Sequence, residues 1–350
     1  MRFEGTWAKL ANMVYLEAPA GVGFSYSDDK ADYTTDDDKT AADNLEALEA
    51  FFKKFPNLKS TSLFLTGESY AGVYTPTLAE AVLAAVDAGT YDGAPLAGIG
   101  VGNGCSGTEV GVCGGERWIY GTKYLMATAL ASPAAKANVT ASCDFTAKAP
   151  SPACSAAIDA LEGAVGHVDL YNIYGECVSG DESNGATLTQ KVPYERSSRL
   201  GGPDACIDSR AGSAYFNQPA VMTAAHVRTP DFRWATCGNE IHYSSTRKNL
   251  PRDTYPKFFG RIRVVIYNGD WDACVPYTDA EAWTESLGLA VEKPWHPWLY
   301  RNGTQVAGYA INYANNFSFI TVKGGRHEVP ETAPEQALEM VRRLISGVEF

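Results

Sequence analysis

The fold is decided by Gly67-Glu-Ser-Tyr-Ala-Gly72. This segment follows a short apolar run at Ser62–Thr66, which is typical of a buried β-strand, and it precedes a helical pattern that extends to about Asp87. A strand-to-helix turn that is tight enough to project a side chain needs small neighbours, and the glycines and the alanine of the segment supply them. We therefore predict that Ser69 lies at the tip of such a turn. A serine in the strand–helix turn of a nucleotide-binding fold is the alternative.

Strands and helices alternate in the sequence on both sides of this turn. An apolar run at Asn12–Glu17 predicts a buried strand, apolar residues at helical spacing predict a helix over Thr40–Phe55, and Leu96–Val101 predicts a further strand. The same patterns predict two strands and a closing helix near the end of the chain, at Arg261–Tyr267, Phe317–Val322 and Pro334–Ile345. Strands that alternate with helices indicate a mostly parallel sheet flanked by helices on both faces.

The middle of the chain lacks the regular alternation of strands and helices. Over residues 104–256, short helical patches are broken by Gly, Pro, Ser and Asn, and six of the eight cysteines lie between Cys105 and Cys206. We interpret this part as an insertion that forms a disulfide-bearing cap and shapes a binding site. The expected organisation is thus a core built from residues 1–103 and 257–350, with the cap region between them.

Composition and charge limit the class of protein. The chain has 350 residues, a hydrophobic fraction of 45% and a charged fraction of 20%, which is ordinary for a globular protein. A formal net charge of −12, without a basic tract, argues against nucleic acid as a partner, because phosphate binding requires clustered Lys and Arg. The sequence has no run of about 20 apolar residues, so no membrane span is expected. No cysteines have the CxxC spacing of a zinc site, and neither a metal nor a cofactor is implied.

Two features of the sequence indicate an oxidising compartment. The eight cysteines are an even number scattered through loop-like sequence, which favours disulfides. Three acceptor tripeptides for N-glycosylation, at Asn138, Asn302 and Asn316, indicate the same surroundings. The first residues do not have the pattern of a signal peptide, so we expect that part of the protein is missing from this sequence.

Three predicted strand ends carry the residue types of a catalytic triad. Ser69, Asp272 and His327 each follow a strand, and ligands and catalysis in open α/β sheets gather at the carboxyl ends of strands. A serine hydroxyl needs a base to remove its proton and a third group to orient that base. The order Ser, Asp, His along the chain is the one that the α/β-hydrolase fold uses. We therefore predict this fold, with the N–H of Tyr70 as the first donor of an oxyanion hole.

Two members of this triad have rivals in the sequence. Asp270 and Asp272 lie in one strand-end loop, and the pattern alone does not choose between them. His327 lies between a strand and a terminal helix, next to glycines, which is the position expected of the triad histidine. The other histidines are expected to be surface or structural residues, and they are His167, His226, His242 and His296. The segment Trp295-His-Pro-Trp predicts an aromatic hairpin that packs on the core.

Four longer motifs occur together in the chain. They are Glu17-Ala-Pro-Ala-Gly-Val-Gly-Phe-Ser-Tyr-Ser, Gly67-Glu-Ser-Tyr-Ala-Gly, Gly269-Asp-Trp-Asp-x-x-Val-Pro and Gly325-x-His-Glu-Val-Pro. In combination they resemble the serine carboxypeptidases, and Tyr171-Asn-Ile-Tyr and Trp234-Ala-Thr-Cys resemble segments of that family's insertion. The resemblance implies that Asp272 is the acid of the triad and that Glu68 helps to hold the terminal carboxylate of a substrate.

The resemblance also implies an activity. The expected function is the removal of C-terminal amino acids from peptides or proteins through an acyl-enzyme at acid pH, in the secretory pathway, in a vacuole or lysosome, or outside the cell. Glu68 would share a proton with a second carboxyl group, and such a pair works best in mild acid. The alternative is that Glu68 is a solvated turn residue. The disulfides that the resemblance implies are Cys143–Cys154, Cys177–Cys206 and Cys105–Cys113.

Members of this family carry a glycine-rich segment, of the type Asn-Gly-Gly-Pro-Gly-Cys-Ser, upstream of the point at which this sequence begins. That segment supplies the second oxyanion N–H and contacts to the substrate, and further upstream residues supply a carboxyl partner for Glu68. Without its cysteine, we expect Cys237 to be unpaired, and Cys274 has no obvious partner either. The loss of one oxyanion donor costs on the order of 3 kcal/mol of transition-state stabilisation. A fragment that also lacks the opening strands is expected to be unstable or weakly active.

Two other functions remain compatible with these residues. Acyl transfer from an ester donor needs the same triad, so the sequence does not separate it from peptide hydrolysis. A catalytically silent, truncated homologue that keeps the fold in order to bind a partner is the alternative from another class.

Overall fold

The computed structural model describes residues 3–166, 168–175, 210–227, 233–238 and 240–350. The strands are β1 (Thr34–Asp36), β2 (Leu63–Glu68), β3 (Leu96–Gly102), β4 (His242–Ser244), β5 (Arg263–Gly269), β6 (Val291–Tyr300), β7 (Gln305–Tyr313) and β8 (Phe317–Val322). The α-helices are α1 (Asp37–Lys54), α2 (Ala71–Asp87), α3 (Arg117–Ala127), α4 (Pro133–Ser142), α5 (Pro152–Val165), α6 (Arg210–Phe216), α7 (Pro219–Ala224), α8 (Leu250–Asp253), α9 (Tyr277–Ser286), α10 (Val329–Thr332) and α11 (Pro334–Ser346).

Six strands form one sheet in the order β2-β3-β5-β8-β7-β6. The first four of these are parallel, and β7 and β6 run antiparallel to their neighbours. The register pairs Glu68 with Gly102, Gly102 with Tyr267, and Gly269 with Val322. The carboxyl ends of the four parallel strands therefore lie at one edge of the sheet. The predicted mostly parallel sheet is confirmed.

Both faces of the sheet are buried. Along β5, Val264 and Ile266 belong to one apolar cluster with Trp283 of α9, whereas Val265 belongs to a second cluster with Met340 of α11. Since alternate side chains of a strand point to opposite faces, helices cover the sheet on both sides. A strand buried on both faces has a continuous apolar sequence, which is the feature that predicts β5.

The helix predicted over Thr40–Phe55 corresponds to α1, which begins earlier, at Asp37. The side chain of Asp36 accepts a hydrogen bond from the N–H of Lys39 at 2.8 Å and caps the helix. The first turn of α1 is acidic, which suits the positive end of the helix dipole. Apolar periodicity does not detect a polar first turn, and this accounts for the difference.

Part of the predicted insertion forms a helical layer with its own apolar centre. The helices α3, α4 and α5 share a cluster that includes Tyr124, Val139 and Leu161. Ile173, in the segment that follows α5, and Ala273, in the loop after β5, also belong to this cluster. The layer therefore packs directly against the carboxyl end of the central sheet.

Two of the three implied disulfides are present. Cys143–Cys154 joins the end of α4 to α5, and Cys105–Cys113 closes a short loop after β3, so both pairings are confirmed. The third pair, Cys177–Cys206, lies outside the described residues. Within the described part of the chain, Cys237 and Cys274 have free thiols.

The strand predicted at Asn12–Glu17 is wrong. This segment is irregular, and the side chains of Val14, Tyr15 and Leu16 are more than half exposed. An apolar run becomes a strand only where a neighbouring strand takes up its backbone hydrogen bonds. Among the described residues, the edge strand β2 has β3 as its only sheet neighbour, so no such pairing forms.

β6 and β7 form the hairpin that the aromatic segment at 295–298 predicts. Trp298 is buried, and its Nε1–H donates to the carbonyl O of Thr321 at 2.8 Å, so this end of the hairpin packs on the core. Trp295 instead stacks on Tyr309 at the surface, with ring centroids 5.4 Å apart. The prediction is therefore confirmed for Trp298.

The short strands β1 and β4 pair in parallel, with Thr35 opposite Tyr243. This pairing ties the start of α1 to the chain that returns from the insertion, and no apolar pattern in the sequence indicates it. In the ranges that the structure describes, no helix is long and apolar enough to cross a membrane.

Candidate active site

Ser69 lies between β2 and α2 with a positive φ of 60°. That conformation is uncommon for a residue other than glycine, and it persists where the surrounding structure holds it in place. Here the N–H of Ser69 donates to the carbonyl O of Gly102 at 3.0 Å, and the carbonyl O of Ser69 accepts from the N–H of Cys105 at 3.0 Å. The chain at the end of β3 therefore fixes the backbone of Ser69 on both sides.

The turn permits only small residues next to Ser69. A Cβ on Gly67 would lie 2.4 Å from the Cβ of Ala71, and a Cβ on Gly72 would lie 2.4 Å from the backbone N of Cys105. Both distances are far shorter than van der Waals contact. Gly67 and Gly72, which indicate the turn in the sequence, are thus also the residues that make the turn sterically possible.

The loop after β5 brings Asp272 to His327. The Oδ2 of Asp272 lies 2.7 Å from the Nδ1 of His327, and the two residues are 0% and 2% exposed. The Oδ1 of Asp272 also accepts from the N–H of Cys274 at 2.7 Å, and its Oδ2 accepts from the N–H of Val275 at 3.2 Å. These donors fix the orientation of the carboxylate, which can then hold the imidazole in one orientation.

The rival residues lie elsewhere. The carboxylate of Asp270 accepts from the N–H of Gly324 at 2.7 Å. His296 binds the carbonyl O of Phe350 through its Nε2 at 2.8 Å, which is a structural contact. His242 belongs to β4 and His226 follows α7, so neither lies at the carboxyl end of a strand of the central sheet. His167 lies outside the described residues.

Asn103 is a residue of this site that the sequence analysis missed. It directly follows β3 and is completely buried. Its Nδ2 donates to the Oδ2 of Asp272 at 2.7 Å and to the carbonyl O of Val275 at 3.2 Å, while its Oδ1 accepts from the N–H of Gly269 at 3.0 Å. Its position in the sequence could have indicated this role. It follows β3, whose carboxyl end lies between the strand ends that carry Ser69 and Asp272.

Tyr171 supports His327 from the insertion. The N–H of His327 donates to the carbonyl O of Tyr171 at 2.9 Å, and the two rings pack edge to face with centroids 4.7 Å apart. Next to Tyr171, the carbonyl O of Leu170 accepts from the N–H groups of Ala273 and Cys274. One short segment of the insertion thus braces the loops of both Asp272 and His327.

Glu68 precedes Ser69 at the end of β2 and lies in the electrostatic field of His327. Burial raises the pKa of Glu68 to about 8, the carboxylates of Glu328 and Asp272 act in the same direction, and the positive charges of His327 and Arg326 oppose them. A carboxyl group with this pKa carries its proton at neutral and acid pH. Glu68 is therefore able to donate a hydrogen bond to a bound anion.

His327 is also perturbed. Burial disfavours its charged form, but the adjacent carboxylate of Asp272, assisted by Glu68 and Glu328, outweighs burial and raises its pKa. When Glu68 is protonated, its part of this effect disappears. The protonation states of the two groups therefore depend on each other. A neutral Glu68 raises the pKa of His327 less than a charged one does, and so favours the neutral imidazole.

Three polar groups at this place have no hydrogen-bond partner among the described residues. They are the Oγ of Ser69, the N–H of Tyr70 and the Nε2 of His327, the last of which is buried. The structure joins Asp272 to His327 by a hydrogen bond and does not join His327 to Ser69 in the same way. In the described ranges, no group of three or more His, Cys, Asp or Glu residues could hold a metal ion.

Known proteins resemble this chain over nearly its full length. The family model for serine carboxypeptidase matches residues 2–347. Serine carboxypeptidase-like 21 from Arabidopsis thaliana is 32% identical over 384 residues, which cover 98% of this chain and 76% of the relative. Serine carboxypeptidase 1 from Hordeum vulgare is 30% identical, with coverage of 97% and 74%. Lysosomal protective protein from Mus musculus is 31% identical, with coverage of 97% and 76%.

A solved structure shows the same fold. The prohormone-processing carboxypeptidase Kex1 from Saccharomyces cerevisiae superposes with a TM-score of 0.73, at 20% identity, over 99% of this chain and 76% of that one. The likeness confirms the α/β-hydrolase fold that the order Ser, Asp, His predicts. The chain belongs to the serine carboxypeptidase family, as its four motifs indicate, and it is a hydrolase of the serine type.

Proposed function

We propose that the chain removes C-terminal amino acids from peptides through an acyl-enzyme on Ser69. The observation that carries this proposal is the buried pair of Asp272 and His327, 2.7 Å apart, at the same sheet edge as the strained turn of Ser69. The unpartnered Nε2 of His327 is the atom that a general base would use. Peptides as the substrate class follow from membership of the family, and the restriction to free C-termini is part of the proposal.

In the first half of the reaction, the Nε2 of His327 takes the proton of the Ser69 hydroxyl, and the Oγ attacks the carbonyl carbon of the last peptide bond. Asp272 holds the imidazole through Nδ1 and stabilises the imidazolium. The N–H of Tyr70 donates to the oxyanion of the tetrahedral intermediate. As the C–N bond breaks, His327 passes its proton to the departing amine, and the C-terminal amino acid leaves.

In the second half, a water molecule gives a proton to the Nε2 of His327 and attacks the ester carbonyl of the acyl-enzyme. A second tetrahedral intermediate forms and breaks at the Ser69 Oγ, which recovers its proton from His327. The products are the shortened peptide and the original enzyme. An alcohol in place of this water would give acyl transfer.

Recognition of the terminal carboxylate falls to Glu68 in this proposal. With a pKa of about 8, Glu68 keeps its proton below that pH and donates a hydrogen bond to the anion. Above that pH, two carboxylates would face each other and repel. This supports a loss of substrate binding above about pH 8, an upper limit that Glu68 sets.

The test compares a peptide that has a free C-terminal carboxylate with the same peptide amidated at its C-terminus. We expect release of single C-terminal amino acids from the first by mass spectrometry, and a kcat/KM at least a hundredfold lower for the second. The variant Ser69→Ala is the control for activity that arises elsewhere. Equal cleavage of both peptides, or cleavage of a simple ester donor alone, would reject a carboxypeptidase in favour of another acyl-transfer reaction.

We also propose that the protein works in an oxidising compartment, namely the secretory pathway, a vacuole or lysosome, or the extracellular space. Two disulfides and the exposed acceptor residues Asn138, Asn302 and Asn316 support this. Mass spectrometry of protein from its native source, with and without reduction and deglycosylation, tests it. Reduced Cys105, Cys113, Cys143 and Cys154 in that material would contradict it.

A further inference from the structure

Asp37 is a buried carboxylate that the proposed reaction does not use. It is the first residue of α1 and is 0% exposed. Its Oδ1 accepts hydrogen bonds from the hydroxyls of Tyr70 and Tyr243, each at 2.8 Å. Its Oδ2 accepts from the N–H of Thr246 at 2.6 Å and from the N–H of Arg247 at 2.8 Å. A carboxylate removed from water is costly unless it is fully hydrogen-bonded, and these four donors meet that need.

The donors to Asp37 come from distant parts of the chain. Tyr70 belongs to the turn after β2, while Tyr243, Thr246 and Arg247 belong to the chain that returns from the insertion. The β1–β4 pairing brings the returning chain beside the start of α1. Asp37 therefore joins three segments, and one of them contains the residue that directly follows Ser69.

Tyr70 is held along the whole length of its side chain. Its hydroxyl also pairs with the Oγ of Ser245 at 2.6 Å, and its ring packs edge to face on Tyr74 and Tyr243, with centroids 5.1 and 5.7 Å away. Burial raises the pKa of the Tyr70 hydroxyl, so it remains a donor. Because a tyrosine side chain has only two torsions, anchoring its hydroxyl also restrains its Cα.

The backbone consequence concerns the peptide between Ser69 and Tyr70. The N–H of Tyr70 has no partner among the described residues, so no backbone acceptor sets its direction. The N–H and the carbonyl of Ser69 are held by Gly102 and Cys105. The other end of this peptide plane, at the Cα of Tyr70, is restrained through the side chain that Asp37 binds.

We propose that Asp37 is a positioning residue for this reaction, which holds Tyr70 so that the N–H beside Ser69 is aimed at the oxyanion. The proposal rests on the acyl-enzyme mechanism given above. The oxyanion exists only in the tetrahedral intermediate and its transition states. A misdirected N–H of Tyr70 therefore lowers kcat and leaves KM nearly unchanged. A misplacement of about 1 Å at a reacting centre can cost on the order of a hundredfold in rate.

Two matched variants test this role. Tyr70→Phe and Tyr243→Phe each remove one hydroxyl from the same oxygen of Asp37, but only Tyr70 adjoins Ser69. With a p-nitrophenyl ester substrate, we expect Tyr70→Phe to lower kcat about tenfold or more and Tyr243→Phe to stay within about twofold of wild type. Both variants should lower the melting temperature to a similar degree. Asp37→Asn, where it folds, should lower kcat at least as much as Tyr70→Phe.

A peptide aldehyde separates positioning from a general structural effect. Its adduct with Ser69 places an oxyanion at the same point as the intermediate, so its Ki should rise by the factor by which kcat/KM falls in Tyr70→Phe. Equal effects of the two tyrosine variants on kcat, or an unchanged Ki, would overturn the role of Asp37 while leaving the proposed function intact. A wild-type protein that neither cleaves the ester nor reacts with a fluorophosphonate at Ser69 would overturn the proposed function and this role with it.

Discussion

The amide of Asn103 and the imidazole of His327 bind the same oxygen of Asp272. Both the Nδ2 of Asn103 and the Nδ1 of His327 lie 2.7 Å from its Oδ2. Asn103 thereby fixes the carboxylate that is proposed to fix the histidine. Since Asn103 also accepts from the N–H of Gly269 and donates to the carbonyl O of Val275, it holds the loop that carries Asp272 at three points.

Asn103→Ala is expected to lower kcat about tenfold to a hundredfold, because Asp272 loses one of the bonds that orient it. Asn268→Ala is the matched control. Asn268 is equally buried, and its Nδ2 donates to the carbonyl O of Val275 at 3.1 Å, as Asn103 does, but it does not bind Asp272. Both variants should lose on the order of 1 kcal/mol of stability, because each removes one of the two hydrogen bonds to the buried carbonyl O of Val275.

The measurements are kcat by a peptide-release assay and stability by urea unfolding. The pH profile of kcat adds a readout that a purely structural role would not move, because Asp272 raises the pKa of His327. A weaker hold on Asp272 should shift the acid limb of the profile in Asn103→Ala alone. If Asn268→Ala lost as much kcat as Asn103→Ala, the effect would belong to stability.

The features that could be predicted from the sequence are those in which a residue's own chemistry carries the signal. Gly67 and Gly72 indicate the turn because a Cβ at either position would clash, and the β-branched residues of β5 indicate burial on both faces. Whether Asp270 or Asp272 meets His327 depends on the path of one loop, and the spacing of apolar residues contains no information on that path. The resemblance to a family points to Asp272, because the family's motif assigns the role to that position.

Features that depend on contacts between distant segments could not be predicted from the sequence. Asn103, Asp37 and Tyr171 each act through partners far away in the chain, and each looks like an ordinary loop or helix-start residue by itself. The error at Asn12–Glu17 has the same origin. Its side chains suit a strand, but strand formation depends on a neighbour, and the described structure provides none.

Glu68 should give KM a defined pH dependence. Its pKa is raised, so the proton that is proposed to donate to the substrate carboxylate is present below about pH 8 and is lost above it. We expect the KM for a peptide with a free C-terminus to be flat up to about pH 8 and then to rise up to tenfold per pH unit.

Glu68→Gln provides the control, since an amide donates a hydrogen bond at every pH. Its KM should lack the rise above pH 8, while its kcat at that pH stays within about threefold of wild type. The KM of an ester substrate without a free carboxylate should not respond to the substitution. A rise of KM that persists in Glu68→Gln would assign the titration to another group.

Asp279 should make the folded state more stable in acid than at neutral pH. It is 1% exposed, and burial raises its pKa from 3.8 to about 7, with the carboxylate of Glu116 acting in the same direction and the hydrogen bond from the N–H of Val112 opposing it. The folded state thus binds a proton between about pH 4 and pH 7 that the unfolded chain has released. The stabilisation that Asp279 contributes is therefore complete below pH 4. It falls by about 1.4 kcal/mol per pH unit as the pH rises through this window.

Asp279→Asn isolates this contribution. The amide can still accept from the N–H of Val112, but it does not ionise, so unfolding free energies measured at pH 5 and pH 7 should differ less than in wild type. The variant should be more stable than wild type at pH 7 and similar to it at pH 4. Val112 lies within the Cys105–Cys113 loop, and the N–H of Cys105 donates to the carbonyl O of Ser69, so Asp279 contacts the chain that supports the turn. An unchanged pH dependence of stability in Asp279→Asn would show that this carboxyl group titrates normally in the folded state.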